Sequence, residues 1–168
     1  MRTGMRYALM DLQIQSKLKW EMAMNDEGFG NLREWGSVLE KMETLARSGK
    51  LGDHQEELIR VLRYNDNWRL REAALAALPA IPAPSPALID EALKIMMRDD
   101  LYYDVRILAA DALGRTLKKG SRANRRGGDK TKETIVRVLE GMKRLLSDPQ
   151  PPILHKAVQE SLEGIVKG

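Results

Sequence analysis

The chain has 168 residues and a net charge of +4, and 43% of its residues are hydrophobic while 31% are charged. This composition suits one soluble domain or one short repeat array, and the lack of cysteine excludes disulfides and thiolate metal sites. No apolar run approaches the ~20 residues of a membrane span and no signal peptide is recognised, so we expect a cytoplasmic protein.

The first fifty residues are the least regular part of the chain. Residues 5–24 predict one amphipathic helix and residues 31–48 a second, separated by the sequence NDEGFG. We interpret residues 1–50 as a divergent N-terminal helical pair that covers one end of a repeat array. Trp20 and Trp35 are expected in the core of that pair.

Residues 53–81 and 85–117 each predict a pair of helices. In the first pair, Asp53 and Glu56 have the spacing of a capping box, and Asn67 is a suitable N-cap for the second helix. In the second pair, Ser85 is the expected N-cap, with Pro86 at the first helical position.

Residues 131–167 predict a third helix pair. Its last helix is expected to bury apolar side chains that include Ile153 and Val166. Since no polar cap follows this helix in the sequence, self-association into a homodimer is one of the interpretations left open.

One sequence block recurs along these pairs. Leu62–Ile81 aligns with Met97–Thr116 at an offset of 35 residues, and Leu146–Ile165 is a weaker copy at a further offset of 49. Helix pairs that recur with such a period predict an all-α solenoid in a single domain over residues 1–168.

The recurring pattern is an acidic or Asn-rich turn, a Val/Leu-Arg step and an Ala-rich stripe. The segment DDLYYDVRILAADAL, residues 99–113, resembles the short bacterial and archaeal type of HEAT repeat. The resemblance implies an α-α superhelix, a right-handed stack of helix pairs. Relatives of this type include scaffolds, transport receptors, bilin-lyase-associated domains and an alkylation-repair DNA glycosylase, so the resemblance is informative about fold and not about activity.

The segment between the second and third pairs is strongly basic. Residues 118–132 carry a charge of +6, so the rest of the chain sums to −2. Because it contains Gly, Ser and Asn without an apolar period, we predict a flexible loop over 118–130. It could bind the phosphates of a nucleic acid, seat on an acidic protein, or be a solvated insertion without a partner. Its basic residues are Lys118, Lys119, Arg122, Arg125, Arg126, Lys130 and Lys132.

Two equivalent positions of the repeat are further candidates for binding. Arg71 and Arg106 could form a basic ladder for an acidic partner, or each could hold the carbonyls of a turn. Trp68 and Tyr103 could form an aromatic ridge at the turns, or they could fill gaps between stacked turns.

Catalysis finds little support in the sequence. The two histidines lie on separate elements, and no nucleophile motif or phosphate loop is present, so we assign no catalytic residue, metal or cofactor. We predict a non-catalytic scaffold that binds a macromolecule, with a protein favoured as partner and an acidic protein as one candidate. The alternatives are nucleic-acid binding through residues 118–132 and a small HEAT-like lyase or DNA glycosylase relative.

Overall fold

The computed structural model describes residues 28–123 and 129–167, with side chains through residue 118 in the first range. The chain divides into two compact units, Met1–Gly30 and Asn31–Gly168. The predicted helix over residues 5–24, and Trp20 within it, lie outside the described residues.

In the described ranges, the second unit contains seven α-helices and two short 3₁₀ turns, which confirms the prediction of an all-α fold. The 3₁₀ turns are Leu51–His54 and Leu78–Ala80. The α-helices are α1 Trp35–Arg47, α2 Gln55–Arg63, α3 Trp68–Ala77, α4 Pro86–Met97, α5 Tyr103–Ala123, α6 Asp129–Ser147 and α7 Pro152–Val166. None of these helices is both long enough and apolar enough to cross a membrane.

Two of the predicted helix caps are confirmed. The Asn67 side chain accepts a hydrogen bond from the backbone N–H of Arg69 at 2.9 Å, and the Ser85 hydroxyl accepts one from Leu88 at 3.3 Å. Both bonds satisfy amides that have no partner inside a helix.

The predicted capping box is wrong, because Asp53 lies within a 3₁₀ turn and α2 begins at Gln55 without a side-chain cap. Instead, the Gln55 amide holds the linker before α4. It donates to the Ala83 carbonyl at 3.1 Å and accepts from the Ser85 N–H at 2.6 Å.

Helix α1 ends in a Schellman motif that requires glycine. Gly49 has a φ of 72°, its N–H donates to Ala46, and the N–H of Lys50 donates to Leu45. This geometry satisfies the last carbonyls of α1 and turns the chain toward α2.

The helices form two rows with the core between them. Helices α1, α3, α5 and α7 contact one another in succession, and so do α2, α4 and α6. Contacts between α2 and α3, α4 and α5, and α6 and α7 join the rows in pairs. Core residues that are at most 1% exposed come from both rows, and include Val38, Leu58, Leu70, Leu88, Leu113, Met142 and Leu154.

Helix α5 extends beyond its predicted end. Residues 118–123 are helical and α6 begins at Asp129, which corrects the loop predicted over 118–130 at both of its ends. Lysine, arginine and alanine are strong helix formers, so a segment that lacks an apolar stripe can still prolong a helix that packing has nucleated upstream.

Three side chains predicted to be buried are exposed. Trp35 is 41% exposed, Ile153 63% and Val166 71%. In α7 the inward positions are Leu154, Val158 and Ile165, because the helix begins at Pro152 and is rotated so that Ile153 lies on the outer face.

Candidate binding surface

Exposed aromatic residues mark the first turns of three helices in one row. Trp35, Trp68 and Tyr103 are the first residues of α1, α3 and α5, and the side chains of Trp68 and Tyr103 are 55% and 47% exposed. Tyr102, which precedes α5, is 84% exposed. The predicted equivalence of Trp68 and Tyr103 therefore holds in three dimensions: both are exposed at a helix start.

Arg69 joins the first two of these helix starts. Its Cζ atom lies 5.5 Å from the ring centroid of Trp35 and 5.6 Å from that of Trp68. A guanidinium at this distance is attracted by both aromatic rings. The starts of α1 and α3 are therefore side by side, and we call Trp35, Trp68, Arg69, Tyr102 and Tyr103 the aromatic ridge.

The start of α5 is also close, because α5 packs against α3 and charges in the turn before α5 act on Arg71. Burial lowers the pKa of the Arg71 guanidinium, the positive charge of Arg98 lowers it further, and the negative charge of Asp100 raises it. Arg98 and Asp100 belong to the turn that leads into α5. The starts of α3 and α5 thus lie on the same edge of the row.

Arg71 is 4% exposed and hydrogen-bonds the turn that precedes α3. It donates to the carbonyls of Leu62 at 3.2 Å and Tyr64 at 2.9 Å, and to the Asn65 side chain at 2.8 Å. Arg106, 2% exposed, donates to the Met96 carbonyl at 3.0 Å. The interpretation of Arg71 and Arg106 as a basic ladder for a partner is therefore corrected. Both guanidiniums are buried and donate hydrogen bonds to backbone carbonyls inside the fold, where buried carbonyls need donors.

The basic segment is described only at its ends. Lys118 near the end of α5 is exposed, as are Lys130 and Lys132 at the start of α6, where the Lys132 ammonium lies 3.8 Å from Asp129. The side chains of the other four predicted phosphate contacts lie outside the described residues: Lys119, Arg122, Arg125 and Arg126.

A groove of 420 Å³ runs between α5 and α7. Its middle is narrow, because Gly114 packs directly against Ser161. Charged groups of both signs line it, and Asp111 and Arg115 on one wall form an ion pair at 3.5 Å. This mixture of charges indicates no particular ligand.

Ion pairs connect neighbouring helices of the second row. Glu91 of α4 accepts from Arg63 of α2 at 2.6 Å and from Lys94 at 2.6 Å, and Asp90 of α4 pairs with Arg137 of α6 at 2.8 Å. The Arg63 hydrogen bond holds the pKa of the Glu91 carboxyl below its usual value, although burial acts in the opposite direction. The Arg63–Glu91 pair links α2 to α4, and the Asp90–Arg137 pair links α4 to α6.

Sequence reasoning missed Trp35 and Arg69 as members of the ridge. The position of Arg69 directly after Trp68 could have indicated that Arg69 belongs to the ridge. Its contact with Trp35, however, depends on how α1 packs against α3. Within the described ranges, no group of His, Asp or Glu side chains is arranged to hold a metal ion.

Comparisons with protein-family models, with curated proteins and with solved structures find no match for this chain.

Proposed function

We propose that this chain is a non-catalytic, cytoplasmic scaffold of the HEAT-like type that binds another protein through the aromatic ridge. The succession of helix contacts within each row, together with the sequence repeat, supports a superhelical stack of this type. The observation that carries the proposal is the exposure of Trp35, Trp68 and Tyr103 on one edge of a row.

Such an edge suits protein recognition for two reasons. Trp, Tyr and Arg are the residue types that contribute most to binding energy at protein interfaces. The side chains also project from packed helices, so little conformational entropy is lost when a partner docks.

The test is affinity capture from an extract of the source organism with the full-length chain as bait. Trp68→Ala and Tyr103→Ala should each remove partners that the unchanged chain retains. Val136→Ala is the matched control, since Val136 is 50% exposed on α6 in the other row. If the ridge variants and the control retain the same proteins, the ridge is not the binding surface.

A second candidate function is nucleic-acid binding, favoured by the exposed Lys118, Lys130 and Lys132 on either side of residues 119–128. Fluorescence anisotropy with single- and double-stranded oligonucleotides tests it. Binding should weaken steeply with salt and be lost when the three lysines are changed to glutamate. Binding that ignores both changes would rule out this function for the segment.

A further inference from the structure

Charge pairing divides the aromatic ridge into two parts. Arg69 is exposed and forms no ion pair within the described ranges, whereas Arg63 at the end of α2 and Arg98 at the end of α4 are paired with Glu91 and Asp100. Arg69 instead lies within cation–π distance of two tryptophan rings. Its positive charge is therefore available to a partner.

The position of Arg69 favours a carboxylate as its ligand. A cation–π contact leaves the N–H groups of the guanidinium without a hydrogen-bond acceptor, and they can form two parallel hydrogen bonds with one carboxylate. Because Trp35 and Trp68 already restrict the side chain, less entropy is lost when such a bond forms. The part of the ridge at α1 and α3 thus suits one negative charge.

The part of the ridge at α5 has the opposite character. Asp99 and Asp104 flank Tyr102 and Tyr103 in the sequence and are exposed, and neither carboxylate forms an ion pair within the described residues. Asp100, which lies between them in the sequence, forms an ion pair with Arg98, and the Arg98 Nη2 and Asp100 Oδ2 atoms are 2.5 Å apart. Two available carboxylates beside two tyrosine rings suit a lysine or arginine, whose alkyl stem can pack on the rings.

Helix packing sets a lower limit on the separation of the two parts, because the Arg69 side chain reaches from α3 toward Trp35 of α1. Helices in contact lie about 8–10 Å apart, and an extended chain advances about 3.3 Å per residue. We infer that the ridge binds an extended segment of another protein with one carboxylate and, at least about three residues away, one cation, with apolar residues or proline between them. This inference rests on the proposed function and specifies the partner of that same surface.

A nucleic acid fits the ridge poorly, although its bases could stack on the aromatic rings. Asp66, Asp99 and Asp104 lie at the turns of this edge, and all three are exposed. Neighbouring phosphates would meet these carboxylates, whereas Arg69 is the single cation among the residues of the aromatic ridge, and phosphate binding requires several cations. A segment with one charge of each sign avoids this repulsion.

The test is an NMR titration of the ¹⁵N-labelled full-length chain with four blocked tetrapeptides. They are Glu-Pro-Leu-Lys, Glu-Pro-Leu-Glu, Lys-Pro-Leu-Lys and Gln-Pro-Leu-Gln. The indole N–H signals of Trp35 and Trp68 report binding at the ridge. The mixed-charge peptide should shift both signals and bind roughly tenfold more tightly than each of the other three, since one charge-assisted hydrogen bond or more is lost in each.

Two variants assign the charges to their sites. Arg69→Gln should weaken binding of the mixed peptide roughly tenfold and leave the doubly basic peptide unaffected. The double change Asp99→Asn with Asp104→Asn should weaken the mixed peptide and spare the doubly acidic one. Unchanged amide spectra away from the ridge show that each variant is folded.

The outcomes separate this inference from the proposed function. If the neutral peptide binds as tightly as the mixed one, the charge pattern is wrong but the ridge still binds protein segments. If no peptide shifts either indole signal at millimolar concentration, the inference fails, and affinity capture decides the proposed function independently. If a single-stranded oligonucleotide shifts these signals more than any peptide, the partner class is wrong.

Discussion

Gly114 of α5 and Ser161 of α7 are in direct contact. A Cβ atom at position 114 would lie 2.8 Å from the Ser161 Cβ and 3.1 Å from its Cα, closer than carbon atoms approach without displacement. The two helices can therefore pack at this distance only because residue 114 has no side chain, and this contact joins the third helix pair to the second.

Gly114→Ala should lower the free energy of unfolding by about 1–3 kcal/mol, because the backbone of α7 has to move. The matched control is Gly164→Ala in α7, where no atom lies within 4 Å of the added Cβ. That change should raise stability by about 0.5–1 kcal/mol through the higher helix propensity of alanine. Urea unfolding followed by circular dichroism measures the free energy of unfolding of both variants. A destabilised Gly164 variant with an unaffected Gly114 variant would contradict the close packing of Gly114 against Ser161.

Glu91 should make stability depend on pH. Its pKa is lowered in the folded state, chiefly by the Arg63 hydrogen bond, so its contribution is present above its unfolded pKa and is lost as pH falls through the folded pKa. Glu91→Gln should cost about 1 kcal/mol at neutral pH, and the difference from the unchanged chain should shrink below about pH 4. Urea unfolding across this range tests it. Asp111→Asn is the control, since its 3.5 Å pair with Arg115 is exposed and should contribute little.

Arg69 and Arg71 should lose different amounts of stability on the same change to alanine. Arg71→Ala leaves the Leu62 and Tyr64 carbonyls without their donor and should cost more than about 2 kcal/mol of stability. Arg69→Ala removes only stacking at an exposed site and should cost less than about 1 kcal/mol. Thermal and urea unfolding distinguish them, and equal losses would contradict the burial of Arg71.

Thr116 is a buried residue whose hydroxyl has no hydrogen-bond partner within the described part of the chain. Thr116→Val should raise the free energy of unfolding by about 1 kcal/mol, since a group of the same shape no longer has to lose its hydration. Thr134→Val is the control, because the Thr134 hydroxyl donates to Lys130 at 2.9 Å and accepts from Arg137 at 3.0 Å. That variant should lose stability in the same urea experiment.

The features that sequence predicted well are local ones. Asn67 and Ser85 cap helices because a short polar side chain can reach an amide two or three residues ahead, whatever the rest of the fold does. The stripe that contains Val105, Ala109 and Leu113 is likewise buried as its spacing predicts.

The features that sequence missed depend on contacts between distant segments. Trp35 was expected in a core and is exposed, and Gln55 was overlooked although its amide holds a linker 28–30 residues away. Nothing in the residues around Trp35 indicates that Arg69 of another helix will stack on it.

The sequence by itself determined the all-α class, the helix pairs and the equivalence of Trp68 with Tyr103, because caps and apolar periods act within a few turns of chain. Only the tertiary structure decided that Arg71 is buried while Arg69 is exposed, and that Trp35 completes the ridge. Those outcomes depend on how neighbouring helices of a row are rotated and spaced, which is decided by contacts between residues distant in sequence, such as Arg69 of α3 with Trp35 of α1.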